Sequence, residues 1–214
     1  MKMIAGAAAL MLMMMTTVAT GCGKKADNTQ PCHKETNGVY YWKTVFAPDS
    51  AELAFIAGHD VGRIYLRMFD VTVNPDTDSS PDKTIPNASV RVDYSAYYTL
   101  MQDSLSTKEF VPVVYITLDA LRMMEGEEDV LARNIVSRVK SMVNYNSLPN
   151  VAELQLDCDW TVSTELSYFN LCKEVKNELK TAALPWRLSS TIRLHQLRRE
   201  TPPVDCGVLM VYNT

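Results

Sequence analysis

The run from Glu153 to Trp160, ELQLDCDW, carries polar side chains at every second position. In an extended strand residues i and i+2 share a face, so Gln155, Asp157 and Asp159 point one way and Leu154, Leu156 and Cys158 the other. Carboxylates held side by side can serve as general acid and base, which makes Asp157 and Asp159 the candidate catalytic pair. Other runs repeat the alternation. Thr191, Arg193 and His195 oppose Ile192 and Leu194, Tyr115 and Thr117 lead to Asp119, and Tyr65 and Phe69 flank Arg67. Charged groups facing an interior cost several kcal/mol each unless paired. Two readings therefore stand: a solvated pocket, or an ion-pair network in which Asp157 and Asp119 meet Arg193 and Arg67. In the first, Arg193 and His195 polarise or position a substrate hydroxyl and Trp160 and Trp42 offer flat faces for stacking. In the second, the histidine is a hydrogen-bonded core residue and the tryptophans are ordinary packing. Tyr212, near the end of the last apolar run, joins Arg67, Asp119, Trp160, Arg193 and His195 as a candidate substrate-binding residue.

These residues must be positioned by regular elements, and the sequence supplies them. Six short segments are rich in Val, Ile, Tyr, Leu and Thr, as strands are: Gly38-Phe46, Arg63-Thr72, Phe110-Leu118, Glu153-Trp160, Arg187-Leu197 and Gly207-Thr214. Helical patterns fall between most of them, at Asp49-Ala57 closed by Gly58, at Glu127-Asn144 and at Ser163-Ala182. In the second, Val130, Leu131, Ile135, Val139 and Val143 follow the three-to-four spacing of one helix face. Strand alternating with helix makes right-handed parallel crossovers, so the expected class is α/β. The stretch Asn74-Ala88, dominated by Pro, Asp, Ser and Thr, reads as a long loop before a minor strand at Ser89-Asp93. The link Arg198-Cys206 is too short for a full helix and is the weakest point of the pattern.

The amino terminus has a different character. Lys2 precedes an uncharged stretch from Ile4 to Val18, which matches the n-region and h-region of a secretory signal. That stretch is short of the ~20 apolar residues a membrane helix needs, and it ends at Ala19-Thr20-Gly21-Cys22. The small residues before Cys22 resemble the lipobox of bacterial lipoproteins. The resemblance implies a signal peptide at 1–21, a lipid-bearing Cys22, and attachment to a cell-envelope membrane, with Gly23 favouring the outer one. Polar residues to about position 36 read as a flexible tether to a domain spanning 37–214. Removing 21 of the 214 residues leaves 193, enough for one domain with a sizeable core, and moves the formal charge from -4 to -5. That balance disfavours nucleic acid as a partner, since phosphate binding wants clustered Lys and Arg. No Walker loop, dinucleotide fingerprint or nucleophile elbow occurs, so no cofactor is expected. With three His in all and no paired C-x-x-C spacing, no metal site is expected either. Cys158 and Cys172 read as buried free thiols or as a bridge between strand and following helix.

Two pairs of segments, YLRMFDV with ELQLDCDW and STIRLHQL with PPVDCGVLMVYNT, resemble an uncharacterised family of envelope lipoproteins related to TIM-barrel glycoside hydrolases. The resemblance implies an incomplete TIM-like barrel of six parallel strands, with the polar positions at their C-terminal ends, where barrel enzymes build active sites. It also implies a chain ending inside its sixth strand, as a truncated gene product or an open sheet. ELQLDCDW is similar to the fourth-strand motif of the chitinase-like hydrolases, whose Asp-x-Glu ends in the proton donor. Aligning Asp157, Asp159 and Trp160 puts Thr161 where that Glu should stand. Three substitutes offer themselves: Asp159 with a pKa raised by burial, the pair Asp157 and Asp159, and Glu165 reaching back. The pair sits ~6.6 Å apart by strand rise but projects in one direction instead of flanking a bond. Glu165 also suits the first turn of a helix. The expected functions are a glycan hydrolase, a non-catalytic glycan-binding envelope lipoprotein, or an inactive fragment.

Overall fold

The structure, a computed structural model, describes residues 36–93, 95, 98 and 105–211. In chain order its elements are β1 (Asn37–Tyr41), β2 (Val45–Phe46), α1 (Ser50–Gly58), β3 (Val61–Val73), β4 (Thr84–Asn87), β5 (Arg91–Val92), β6 (Glu109–Ile116), α2 (Leu118–Met123), α3 (Glu128–Tyr145), β7 (Glu153–Asp157), α4 (Glu165–Thr181), β8 (Arg187–Arg193), a 3-10 turn (Leu194–Arg198) and β9 (Cys206–Met210). The expected signal peptide, Cys22 and most of the expected tether lie outside the described residues, as does Tyr212.

Six strands pair side by side in the order β1-β3-β6-β7-β8-β9, every neighbour parallel. The spatial order equals the chain order. With right-handed crossovers an order that never reverses puts the connecting helices on one face, and the sheet curls away from them. The fold is therefore an incomplete TIM-like barrel, with helices on the convex face and side chains alone on the concave one. Each of the six expected strands is present.

Local sequence explains the helices. At α1, Asp49 Oδ1 accepts from the Glu52 amide at 2.8 Å and Glu52 Oε2 accepts from the Asp49 amide at 3.0 Å, a reciprocal cap. Along α3, Leu131, Ile135, Val139 and Val143 are buried, as their spacing predicts. Along α4, Tyr168, Leu171, Cys172, Val175 and Leu179 are buried. They pack with Leu154, Leu156, Cys158 and Leu188 from the convex side of the sheet. Each such side chain contributes roughly 1.5–3 kcal/mol on leaving water, which makes this layer the main source of stability.

Three local departures matter. Within the expected loop 74–88, β4 pairs antiparallel with the end of β3, Val71 opposite Pro86. It takes over from β1 along the same edge of β3, and an edge is where a strand tolerates proline. The expected minor strand reduces to Arg91–Val92, paired with β2. Third, the register between β3 and β6 slips, Arg67 facing Val113 and Phe69 facing Val114, so Met68 is an extra residue. Such a bulge reverses the side-chain parity beyond it.

The short link after β8 is a parallel crossover after all. Its 3-10 turn and an irregular stretch return the chain to β9, which pairs along Ser189–Arg193. Cys158 and Cys172 are free thiols. Among the described residues no helix is long and apolar enough to cross a membrane.

Candidate functional site

The concave face has three tiers. At the N-terminal ends of the strands, Arg63 donates to Glu109 at 2.7 Å, while Arg187 lies 3.7 Å from Glu109 and 3.5 Å from Glu153. These ion pairs tie β3, β6, β7 and β8 together. Burial raises the pKa of Glu153, opposed by its hydrogen bond from Ser189 and by Arg187 and Arg63. The middle tier is closed by Tyr65, Val111 and Val113, with Tyr40 and Val208 packed against them. The Tyr40 hydroxyl donates to Gln155 Oε1 at 2.7 Å, and Gln155 Nε2 donates to Ser189 Oγ at 3.2 Å.

The upper tier holds the chemistry. Arg193 donates from Nη2 to Asp157 Oδ1 at 2.9 Å and from Nε to Asp159 Oδ1. Thr191 donates to the same Asp157 oxygen at 2.6 Å. The Asp157 and Arg193 side chains are 3% and 9% exposed, that of Asp159 44%. Burial raises the pKa of Asp157 above the usual carboxylate value, and the Thr191 hydrogen bond and Arg193 oppose the shift. Arg67 donates from Nε to Asp70 Oδ1 at 2.7 Å and from Nη2 to Oδ2, a two-point pair. Tyr115 stands in the field of Asp159, Asp157 and Asp70, which, after burial, raise its pKa and keep its phenol neutral. Beside this cluster the rings of Tyr65, Tyr40 and Trp42 form a ladder. Tyr40 stacks on Tyr65 at 4.4 Å and 14°, and Trp42 on Tyr40 at 5.4 Å and 7°. The Trp42 carbonyl lies 3.5 Å from Arg67 Nη1, joining ladder to ion pairs. Trp42 is 40% exposed and ends the ladder toward solvent.

Four of the expected site residues thus come together: Arg67, Asp157, Asp159 and Arg193. Three do not. Asp119 sits in the first turn of α2, its side chain 80% exposed and paired with Arg122 at 2.9 Å. Strand β6 ends at Ile116, and Thr117 caps the helix by accepting from the Ala120 amide, so the strand alternation never reaches Asp119. His195 is exposed on the 3-10 turn, its Nε2 3.2 Å from the Trp160 carbonyl. Trp160 is fully buried, stacked on Tyr168 and edge-on to Phe169 from the convex-side helix, so no sugar can reach it. Phe69, expected inward, packs in the helix-side core beneath Arg138. Asp70 replaces it on the concave face because of the bulge at Met68. Reading the sequence missed Asp70, and nothing in the local residue types marks the extra position.

The chemistry left to the carboxylates is limited. Asp157 is raised in pKa but buried beneath Arg193, out of reach of a leaving-group oxygen. Asp159, its side chain 44% exposed, is engaged by Arg193 Nε. Glu165 sits in the first turn of α4 and pairs with Arg199 at 2.6 Å. The Thr161 and Ser163 hydroxyls share a hydrogen bond at 3.1 Å. The cluster is equipped to hold hydroxyl groups by charged donors and acceptors. A separate cavity of about 470 Å³ beneath α1, lined by Val39, Tyr41, Phe46, Phe55 and Ile56, lies on the convex side. Its polar neighbours Asp49 and Glu52 are committed to the helix cap, so chemistry converges on the concave face instead. Among the described residues no three His, Cys, Asp or Glu side chains gather as metal ligands.

No protein-family profile matches the chain. No curated protein sequence matches it either. Among solved structures it is similar to a GH18 chitinase from Pseudoalteromonas aurantia, with 12% identity and a TM-score of 0.46. The match covers 74% of this chain and 56% of that one, so the chain spans little more than half the length of that enzyme.

Proposed function

We propose that this protein is an envelope lipoprotein that binds a glycan on the concave face of its half-barrel without hydrolysing it. The observation that carries the proposal is the ladder Tyr65–Tyr40–Trp42, whose exposed end lies beside the Arg67–Asp70 pair. A flat indole face offers apolar surface to the C–H face of a sugar ring, and adjoining charged pairs accept from and donate to its hydroxyls. The Asp157–Arg193–Asp159 triad supplies the second polar wall. Binding is favoured over hydrolysis because Asp70, Asp157 and Asp159 are each engaged by an arginine.

Isothermal titration against envelope and cell-wall oligosaccharides, with reducing-end release followed in the same samples, tests this. Binding without release is expected. Trp42→Ala should weaken it about tenfold, the effect of ~1.4 kcal/mol of lost stacking and burial. Release abolished by Asp157→Asn with affinity kept would establish a hydrolase instead. Binding that ignores Trp42→Ala would remove the concave face as the site.

A further inference from the structure

The cysteines divide into two kinds. Cys158 and Cys172 are free and buried in the helix-side core, where burial pushes the Cys172 thiol up to about 12. Both sulfurs are thereby held in the unreactive protonated form. Cys206, the first residue of β9, is buried and disulfide-bonded. Its partner lies outside the described residues, and of the chain's five cysteines only Cys22 and Cys32 are left.

Geometry separates these two. Cys22 lies fifteen positions ahead of Asn37, at the far end of the polar stretch. Cys32 precedes Asn37, the first residue of β1, by five positions. The strands are parallel, so the start of β1 and the start of β9 lie at the same end of the sheet. The sheet also curls enough for Tyr40 of β1 and Val208 of β9 to pack on one shared cluster, Tyr65, Val111 and Val113. Five residues reach at most about 18 Å, which keeps Cys32 within that distance of the start of β1.

We infer that Cys32 is the disulfide partner of Cys206, forming a clasp between the segment ahead of the first strand and the last strand. The clasp forms by thiol–disulfide exchange. One thiolate attacks the disulfide of a dithiol–disulfide oxidant to give a mixed disulfide, and the second thiolate displaces it. The two thiols lose two protons and two electrons, and the oxidant leaves as its dithiol. Such oxidants work in envelope and secretory compartments, so the clasp ties folding to export. It also leaves the Cys22 sulfur available for a thioether to lipid.

The test uses the full chain, extracted without reductant, denatured in N-ethylmaleimide, digested with trypsin and mapped by mass spectrometry. A disulfide joining peptide 26–34 to peptide 200–214 is expected, with Cys158 and Cys172 alkylated. Linkage of 200–214 to a peptide bearing Cys22, to a second copy of itself, or alkylation at Cys206 would overturn the inference. In denaturant, Cys32→Ser should render Cys206 fully alkylatable while Cys22→Ser leaves it protected. The reverse pattern would identify Cys22 as the partner and would also exclude its acylation.

Discussion

Replacing Arg193 by Met removes the one guanidinium that serves both Asp157 and Asp159 while keeping most of the side-chain volume. The consequences for the two carboxylates differ. Asp159, with its side chain 44% exposed, rehydrates, and its half of the interaction is worth ~0–1 kcal/mol. Asp157, 3% exposed, is left with the Thr191 hydroxyl alone, and stranding a buried charge costs about 3–5 kcal/mol. The expected loss is therefore dominated by Asp157. Urea denaturation at neutral pH should show the midpoint falling with the slope unchanged, since the folded surface is preserved. The double variant Arg193→Met with Asp157→Asn should recover most of the loss, because a matched neutral pair leaves no charge behind. The pH dependence fixes the cause. Burial already places the folded pKa of Asp157 above its unfolded value, so the folded state binds the proton more tightly. Stability linked to this group is full below the unfolded pKa and falls as pH rises through the folded one. Without Arg193 that fall should steepen and extend to higher pH. A single variant costing under ~1 kcal/mol, or a double variant no better than the sum of the two singles, would refute the view of Arg193 as the counter-charge of a buried aspartate.

Glu153, fully buried with its pKa likewise raised, adds a second such slope. Glu153→Gln should flatten the decline of melting temperature as pH rises from the unfolded glutamate value, and an unchanged profile would show that the carboxylate does not titrate with folding. Asp49→Ala removes the reciprocal cap of α1 and should cost ~1 kcal/mol by denaturant titration. A neutral result would mean that helix is held by packing alone. Tyr168→Phe deletes a buried hydroxyl 2.6 Å from Ser190 Oγ and should cost about 1 kcal/mol. The Ser190 hydroxyl also reaches the Thr191 carbonyl, so a loss beyond ~3 kcal/mol would contradict its having that second partner.

Much of the architecture was legible because its signals are periodic. The apolar stripe of α3 and the alternation in β7 and β8 each report one face, and the concave positions Gln155, Asp157, Thr191 and Arg193 follow from counting in twos. Two of the misplacements share one cause: the count was carried past the end of the strand. Asp119 follows a helix cap at Thr117 and His195 sits beyond β8 in a 3-10 turn, whereas Trp160 lies on the core-facing parity of Leu154, Leu156 and Cys158, and Phe69 is displaced by the bulge at Met68. Strand ends are set by what the next residues find to bond with, which a two-residue repeat does not encode. The strand at Thr84–Asn87 was hidden for a related reason. Edge pairing to β3 supplies its order, while its composition of Thr, Ile, Pro and Asn reads as loop. The aromatic ladder was half visible, since Tyr40 and Trp42 are two apart, but its third ring comes from a neighbouring strand.

The additional residue at Met68 makes the carboxylate wall depend on arithmetic. Arg67 and Asp70, three apart, meet on one face only because the ribbon is shifted by a single position between them. A strand of the same length running through this point without the bulge would send Asp70 into the greasy layer under the helices and return Phe69 to the bowl, whereas loss of Met68 alone would leave both where they are. Whether β3 sets an extra residue against the same stretch of β6, more than any exchange of side chains, would decide whether a relative keeps an acid there.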